Sequence, residues 1–320
     1  MRLFKQAVIL LLAICVAGVL CGCKSSKFNI RQEIHEPRLF GATYMTRNNP
    51  FFDVLHDAIN VVVEGNGDIL ISRDPQQDQE KQNAQILEMI NEGIEVLFLN
   101  PVDWEAVKPA LEACRKAGVI IINIDTVVKD REYAVSIIET DNYLAGVQCA
   151  QDMMERIESA RIVILDNPIQ TSISNRVQGF LDTIENDDRY KVIYTESGAG
   201  EIEVATHVMG EFLKRNEDFD VVIGGNDPSA LGALAALQQY HMDDLGILIY
   251  GIDGSPDFKS MLNIGFVTGT SAQSPKTIGT VAAETAYSYL AGNEVEEYIS
   301  ILPSMVTKEN LSEYSINGWN

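Results

Sequence analysis

Phe40-Gly41-Ala42-Thr43-Tyr44-Met45-Thr46-Arg47-Asn48-Asn49-Pro50-Phe51-Phe52 is the stretch on which the fold turns. Residues 40–46 form a short apolar run of strand length. Pro50 then opens a helix, because its fixed φ suits a first helical turn and an Asn just before it can accept from the free N–H groups there. A strand running straight into a helix puts two adjacent aromatics at the edge of a parallel sheet, where open α/β folds bind small ligands. Taken alone, the stretch is explained as a capped helix whose two phenylalanines pack it down.

The same alternation continues outward. Strand-like runs at 40–46, 68–72, 96–100 and 119–125 are separated by amphipathic segments at 50–63, 79–91 and 104–117. Gly65, Gly93 and Gly118 fall just past those segments, as C-terminal caps do. Pro109 inside the third segment would cost about 3 kcal/mol in a helix interior, so a kink or a separate first turn over 104–108 is expected. A second set follows, with strands at 134–139, 161–165, 191–194, 221–224 and 247–251 and helices at 143–157, 172–184, 202–214, 229–240 and 257–262. The chain finishes with a strand near 266–271, a helix at 275–290 and a strand near 298–302. Nearly all-apolar strands alternating with helices imply parallel sheets covered on both faces. No Pro/Gly/Ser-rich linker divides the two sets, which suggests two α/β lobes with the chain crossing between them on short strands, a hinge architecture.

The 320 residues carry a formal charge of -22 and are 46% hydrophobic, enough for substantial cores. Such acidity disfavours binding to phosphate backbones, so no nucleic-acid partner is expected. Arg2 and Lys5 followed by an apolar run from Ala7 to Leu20 form a secretory signal pattern. It closes on Leu20-Cys21-Gly22-Cys23, similar to a bacterial lipobox, so 1–22 reads as a lipoprotein signal peptide and Cys23 as the lipidated residue. Residues 23–37 read as a tether. An extracytoplasmic protein anchored to the bacterial membrane is the expectation. Of five cysteines only Cys114 and Cys149 then remain in the fold. They have no metal-ligand spacing and are expected as buried free thiols, with a disulfide the alternative in an oxidising compartment.

No G-x-G-x-x-G follows a strand, and there is no phosphate-binding loop ending in Gly-Lys-Ser/Thr and no G-x-S-x-G elbow. The histidines are scattered and the acidic clusters lack the form of a calcium loop. Neither catalysis nor a metal or other cofactor is therefore expected. What recurs is a polar residue at the carboxyl end of a strand: Asn100, Asp125, Asn226-Asp227, Asp253 and Gln273. Any one could cap the following helix, and Asp103, Asp227 and Ser274 are expected to do so. Together, carboxylates and amides suit adjacent hydroxyls, and the Phe51 and Phe52 faces suit a sugar's C–H face. The pattern describes a carbohydrate cleft.

Asn48-Asn49-Pro50-Phe51-Phe52, Leu99-Asn100-Pro101, Ile124-Asp125, Asn226-Asp227-Pro228-Ser229-Ala230-Leu231-Gly232-Ala233, Gly251-Ile252-Asp253-Gly254 and Ala272-Gln273 occur in the order found in the ribose-binding-protein family. The chain resembles these type I periplasmic sugar-binding proteins of ABC importers from about Phe40 to Leu302. The resemblance implies two Rossmann-like lobes joined by three crossovers, with 38–140 and 274–302 in the first lobe and 141–273 and 303–320 in the second. It places the stacking aromatics on Phe51 and Phe52 and the sugar hydrogen-bonders on Asn49, Asn100, Asp125, Arg176, Asn226, Asp253 and Gln273, with Thr126 beside them. Arg176 is assigned through Ser174-Asn175-Arg176-Val177-Gln178-Gly179-Phe180. Three departures stand out: Thr126 where ribose binders carry Arg, Ile252 where they carry Phe, and no second-lobe aromatic in Ser197-Gly198-Ala199-Gly200. The cleft should thus be less aromatic and less cationic than a ribose site. A monomer is expected that captures a monosaccharide or related polyol by hinge closure and delivers it to an ABC transporter permease. The alternatives are a ligand sensor of the same fold facing a membrane receptor, a repressor effector domain, disfavoured by the N-terminal signal, and an enzyme lacking a catalytic set.

Overall fold

The computed structural model describes residues 36–319; the signal peptide, Cys23 and the tether up to residue 35 lie outside the described residues. Two six-stranded sheets organise the chain. The first holds β1 (Leu39–Thr43), β2 (Ile69–Arg73), β3 (Val96–Leu99), β4 (Ile120–Ile124), β5 (Ser136–Thr140) and β11 (Tyr298–Ile301), in the order β11-β5-β4-β3-β1-β2. Every pair in it is parallel. The second holds β6 (Ala160–Asp166), β7 (Tyr190–Ser197), β8 (Val221–Gly224), β9 (Leu248–Asp253), β10 (Gly269–Ala272) and β12 (Ser304–Thr307), in the order β12-β10-β9-β8-β6-β7. Only its β10/β12 pair is antiparallel.

Parallel strands need helical crossovers, and these cover both faces of each sheet. On the first sheet, α1 (Pro50–Gly65) and α9 (Pro275–Leu290) bury Leu55, Ile59, Ile278 and Ala282 on one face. On the other, α2 (Gln79–Glu92) and α3 (Lys108–Ala117) bury Ile86, Met89, Leu111 and Cys114. On the second sheet, α4 (Asn142–Arg156) and α5 (Thr171–Ile184) bury Cys149, Met153 and Phe180. Its far face is covered by α6 (Ile202–Leu213), α7 (Asp227–Gln239) and α8 (Pro256–Ile264), through Met209, Phe212, Leu237 and Phe258. Among the described residues the cysteines are Cys114 and Cys149, buried free thiols in different cores. Among the described residues no helix is long and apolar enough to cross a membrane.

The chain passes between the sheets three times: from β5 into α4, from β10 into α9 and from β11 into β12. Each passage is at most two residues long, and residues 37–320 form one compact unit. The tail after β12 buries Leu311 in the core of the second sheet, yet Trp319 packs on the core of the first.

The local sequence expectations are met at some positions and not at others, for plain causes. Pro109 sits in the first turn of α3, where its missing N–H has no helical acceptor to lose, and residues 104–107 form a separate turn whose N–H groups at Glu105 and Ala106 donate to Asp103 Oδ1 at 2.8 and 2.9 Å. Gly93 and Gly118 are left-handed C-caps, with φ of 93° and 77°, whereas Gly65 stays inside α1 and Asn66 caps it. Asp227 does not cap α7. Asn226 does, accepting from Ser229 N at 2.9 Å, and Ser274 makes no side-chain cap bond. The four-residue edge strand β12 follows Pro303 directly and is too short to give a periodic signal.

Candidate functional site

The carboxyl ends of both sheets face one another across a cleft of about 390 Å³, open mouth included. Parallel order puts the carboxyl ends of all strands but the antiparallel β12 on one side, so those strands deliver their following loops to the same place. On the first wall, β1 runs out through Met45 and Thr46 to Asn49. Asn49 Oδ1 accepts from Phe51 N at 3.0 Å and fixes the start of α1. Phe51 and Phe52 follow on the cleft wall, edge to face with centroids 5.3 Å apart.

Asp125 ends β4 in an unusual turn. Its φ is 63° and Thr126 N donates to Ile124 O at 2.8 Å, the three-residue turn with positive φ at its centre, a strained form in a non-glycine residue. Asn100 and Thr126 maintain it from behind. Asn100 Nδ2 donates to Asp125 Oδ2 at 2.9 Å and Thr126 Oγ1 to the same oxygen at 3.3 Å, while Asn100 Oδ1 accepts from Met45 N at 3.0 Å. Asn100 and Thr126, expected as ligand contacts, are fully buried, do not line the cleft, and both bond the Asp125 carboxylate.

Arg176 dominates the second wall. Its Nε donates to Asn142 Oδ1 at 2.7 Å and Nη1 to Gly225 O at 3.0 Å, with Asp253 Oδ1 3.4 Å from Nη1. Asp253, at φ 147°, also accepts from Gln273 Nε2 at 2.7 Å, and Gln273 Oε1 accepts from Thr140 Oγ1 at 2.6 Å. Arg176 reaches this place because α4 and α5 cross at two glycines. A Cβ on Gly146 would lie 1.8 Å from Arg176 O, and one on Gly179 would lie 2.1 Å from Tyr143 O. Asn226, having capped α7, donates through Nδ2 to Gly200 O at 3.0 Å. Asp227 is turned inward instead, accepting from Thr270 Oγ1 and Ser255 N, both at 2.7 Å. A Cβ on Gly251 would lie 2.3 Å from Asp227 Oδ1.

Burial pushes the Asp125 and Asp253 carboxyls above their ordinary range, and the Arg176 guanidinium opposes that rise at both. One cation thus serves two buried carboxylates. Arranged around them are the side-chain amides of Asn49, Gln77, Gln170, Asn226 and Gln273, which donate and accept, and the two phenylalanine faces. Such a lining suits a compact, neutral, polyhydroxylated molecule with an apolar face.

Eight of the ten sequence-assigned residues line the cleft: Asn49, Phe51, Phe52, Asp125, Arg176, Asn226, Asp253 and Gln273. Sequence reasoning missed Met45, Thr46, Gln77, Gln170, Ser172, Ile173 and Gly200. Of these only Thr46 is a polar residue closing an apolar run; Gln77 and Gln170 stand four residues past β2 and β6, and Ser172 and Ile173 lie within α5, beyond the reach of the strand-end rule. The walls also touch one another. Gln77 Nε2 donates to Glu201 Oε1 at 2.8 Å, Thr126 Oγ1 lies 2.9 Å from Ser172 Oγ, and Thr171 Oγ1 both accepts from Val127 N and donates to Val127 O at 2.9 Å.

Residues 40–294 match the family described as the periplasmic binding protein domain. Among curated relatives, the ribose import binding protein of Escherichia coli strain K12 is 30% identical over 266 residues, covering 82% of this chain and 88% of its own. That of Bacillus subtilis strain 168 is 29% identical over 262 residues, covering 81% and 84%. Among solved structures, the binding component of the arabinose ABC transporter from Shewanella sp. ANA-3, bound to α- and β-L-arabinofuranose, superposes with a TM-score of 0.80 at 25% identity, covering 86% of this chain and 93% of that one.

Proposed function

The chain belongs to the periplasmic binding protein domain family, and from that premise we propose that it captures a monosaccharide or related polyol outside the cytoplasm and hands it to an ABC transporter permease. It is a binding protein and not an enzyme. The observation that carries the sugar reading is the Asp125–Arg176–Asp253–Gln273 cluster facing Phe51 and Phe52 across one gap. The carboxylates and guanidinium hydrogen-bond ring hydroxyls, the phenylalanines cover the C–H face, and Asn100, Thr126 and Asn142 hold the charged groups in register.

Binding proceeds in two stages. An open form takes the sugar on one wall, and the three short crossings flex until the other wall adds its hydrogen bonds. The Gln77–Glu201, Thr126–Ser172 and Thr171–Val127 contacts belong to the closed form. Calorimetric titration of the full chain, in a detergent without a sugar headgroup, against pentoses, hexoses and cyclitols tests this. Saturable heat with at least one is expected, and none with any refutes it. Ligand-dependent stimulation of a cognate permease–ATPase separates delivery from a sensing output. Cys23 anchors the protein by lipid, so Cys23→Ser should release it from the membrane fraction.

A further inference from the structure

Beside the cleft lies a larger space, about 880 Å³ with its mouth included. Thr46, Asn49 and Gly200 line both spaces, and Gly200 puts no side chain on the threshold. The outer space is walled by the starts of α1, α6, α7 and α8, which present Pro50, Ile202, Pro228 and Pro256, and by Trp319.

Trp319 continues the aromatic surface of the cleft. Its ring centroid is 5.7 Å from that of Phe51 at an interplanar angle of 73°, and Phe51 meets Phe52 in turn. The tail that carries it is fastened to the second sheet. Lys259, fully buried, donates through Nζ to Gly318 O at 2.6 Å, and Leu311, Tyr314 and Ile316 pack on that core. An aromatic platform thus reaches over from the second lobe onto the first lobe's Phe51.

Four helix starts would ordinarily favour an anion. Here each helix carries its own carboxylate in the first turn, Asp53, Glu203, Asp227 and Asp257, and Glu201 adds another at the rim. The dipoles are answered internally, and three of these carboxylates, Glu201, Glu203 and Asp257, line the outer space, where an anionic ligand would meet them. A neutral group with an apolar face is the chemistry that fits.

We propose that the outer space is a second subsite, which takes the neutral substituent of a glycoside whose first ring occupies the cleft and stacks it on Trp319. This rests on the sugar-binding reading above. The full chain is titrated with the best-bound monosaccharide of the panel and with its methyl and phenyl glycosides, both anomers. The expected result is that one phenyl glycoside binds about tenfold or more tighter than the corresponding methyl glycoside, in line with aromatic stacking plus apolar burial. Trp319→Ala should bring that ratio near one, and Ile202→Ser, which leaves the tail intact, should reduce it. Thermal melts verify that each variant is folded. A monosaccharide that binds while every phenyl-to-methyl ratio stays near one overturns the subsite and leaves the sugar reading standing. A ratio that survives both substitutions also overturns it. Failure of every sugar and glycoside to bind removes the underlying reading and the subsite together.

Discussion

Asp125 occupies a strained turn because Asn100 and Thr126 hold its carboxylate from behind. Both of those bonds fall on Oδ2, and the residue still lines the cleft. Asp125→Asn keeps the shape and removes the charge. Hydrogen bonds to a charged group contribute about 1.5–3 kcal/mol, so sugar affinity should fall roughly 10- to 100-fold by calorimetry while the melting temperature holds or rises, since an ionised group has left the interior. Glu139 offers a different test. It accepts from Tyr298 OH at 2.6 Å and from Asn142 Nδ2 at 2.8 Å, and burial pushes its carboxyl up to about 7. Between about pH 4.5 and 7 the folded protein holds a proton that the unfolded chain has released. Its contribution to stability therefore falls as pH rises through that window and levels off above it. Denaturant melts at pH 5 to 8 should show that decline, and Glu139→Gln should make it shallower; Asp125, Asp227 and Asp253, also pushed up by burial, keep part of the slope. Residues such as Asp125 and Gln273 were legible in the sequence because a polar side chain ends an apolar run. That signal does not separate a residue lining the cleft from one bonded to a lining residue, which is why it picks out Asn100 along with Asp125.

The element that sets the second wall is the α4–α5 pair. Gly146 and Gly179 let the two backbones approach so closely that a methyl group at either would overlap a carbonyl of the other helix. Arg176 lies less than a turn before Gly179, and its own carbonyl is the atom that faces Gly146. Gly179→Ala should therefore separate the helices, lowering stability by about 1–3 kcal/mol and weakening sugar binding through the displaced guanidinium. Thermal unfolding and titration together distinguish this from a purely structural defect, which would leave the affinity of the folded fraction unchanged. Strand–helix alternation was plain from apolar runs and glycine stops, so most elements were readable from the sequence. β12 was not, because four residues on an edge give no period, and neither was the helix crossing, because the tight contact depends on which faces of two distant segments meet.

At the scale of the molecule, closure is expressed in contacts between walls. Gln77→Ala deletes the bond to Glu201 at the lip while leaving the deep Asp and Arg contacts in place. An ordinary hydrogen bond contributes about 0.5–1.5 kcal/mol net, so the sugar dissociation rate should rise about two- to tenfold with little change in association, as read by stopped-flow fluorescence. Cys114 and Cys149, both buried with thiols pushed up to about 12, should stay unreactive toward a thiol reagent until the protein unfolds.

The three passages between sheets also fix an order of assembly. β11 completes the edge of the first sheet beside β5, yet more than 150 residues of the chain separate the two strands, the whole of β6 to β10 among them. Until residue 301 arrives, β5 presents a bare row of backbone donors and acceptors. Both sheets thus complete their edges only near the end of the chain, at β11 and β12, so refolding should begin in β1 to β5 and end with these two edge strands docking. A chain stopped before Tyr298 would keep an open strand edge and be prone to pair with a second chain.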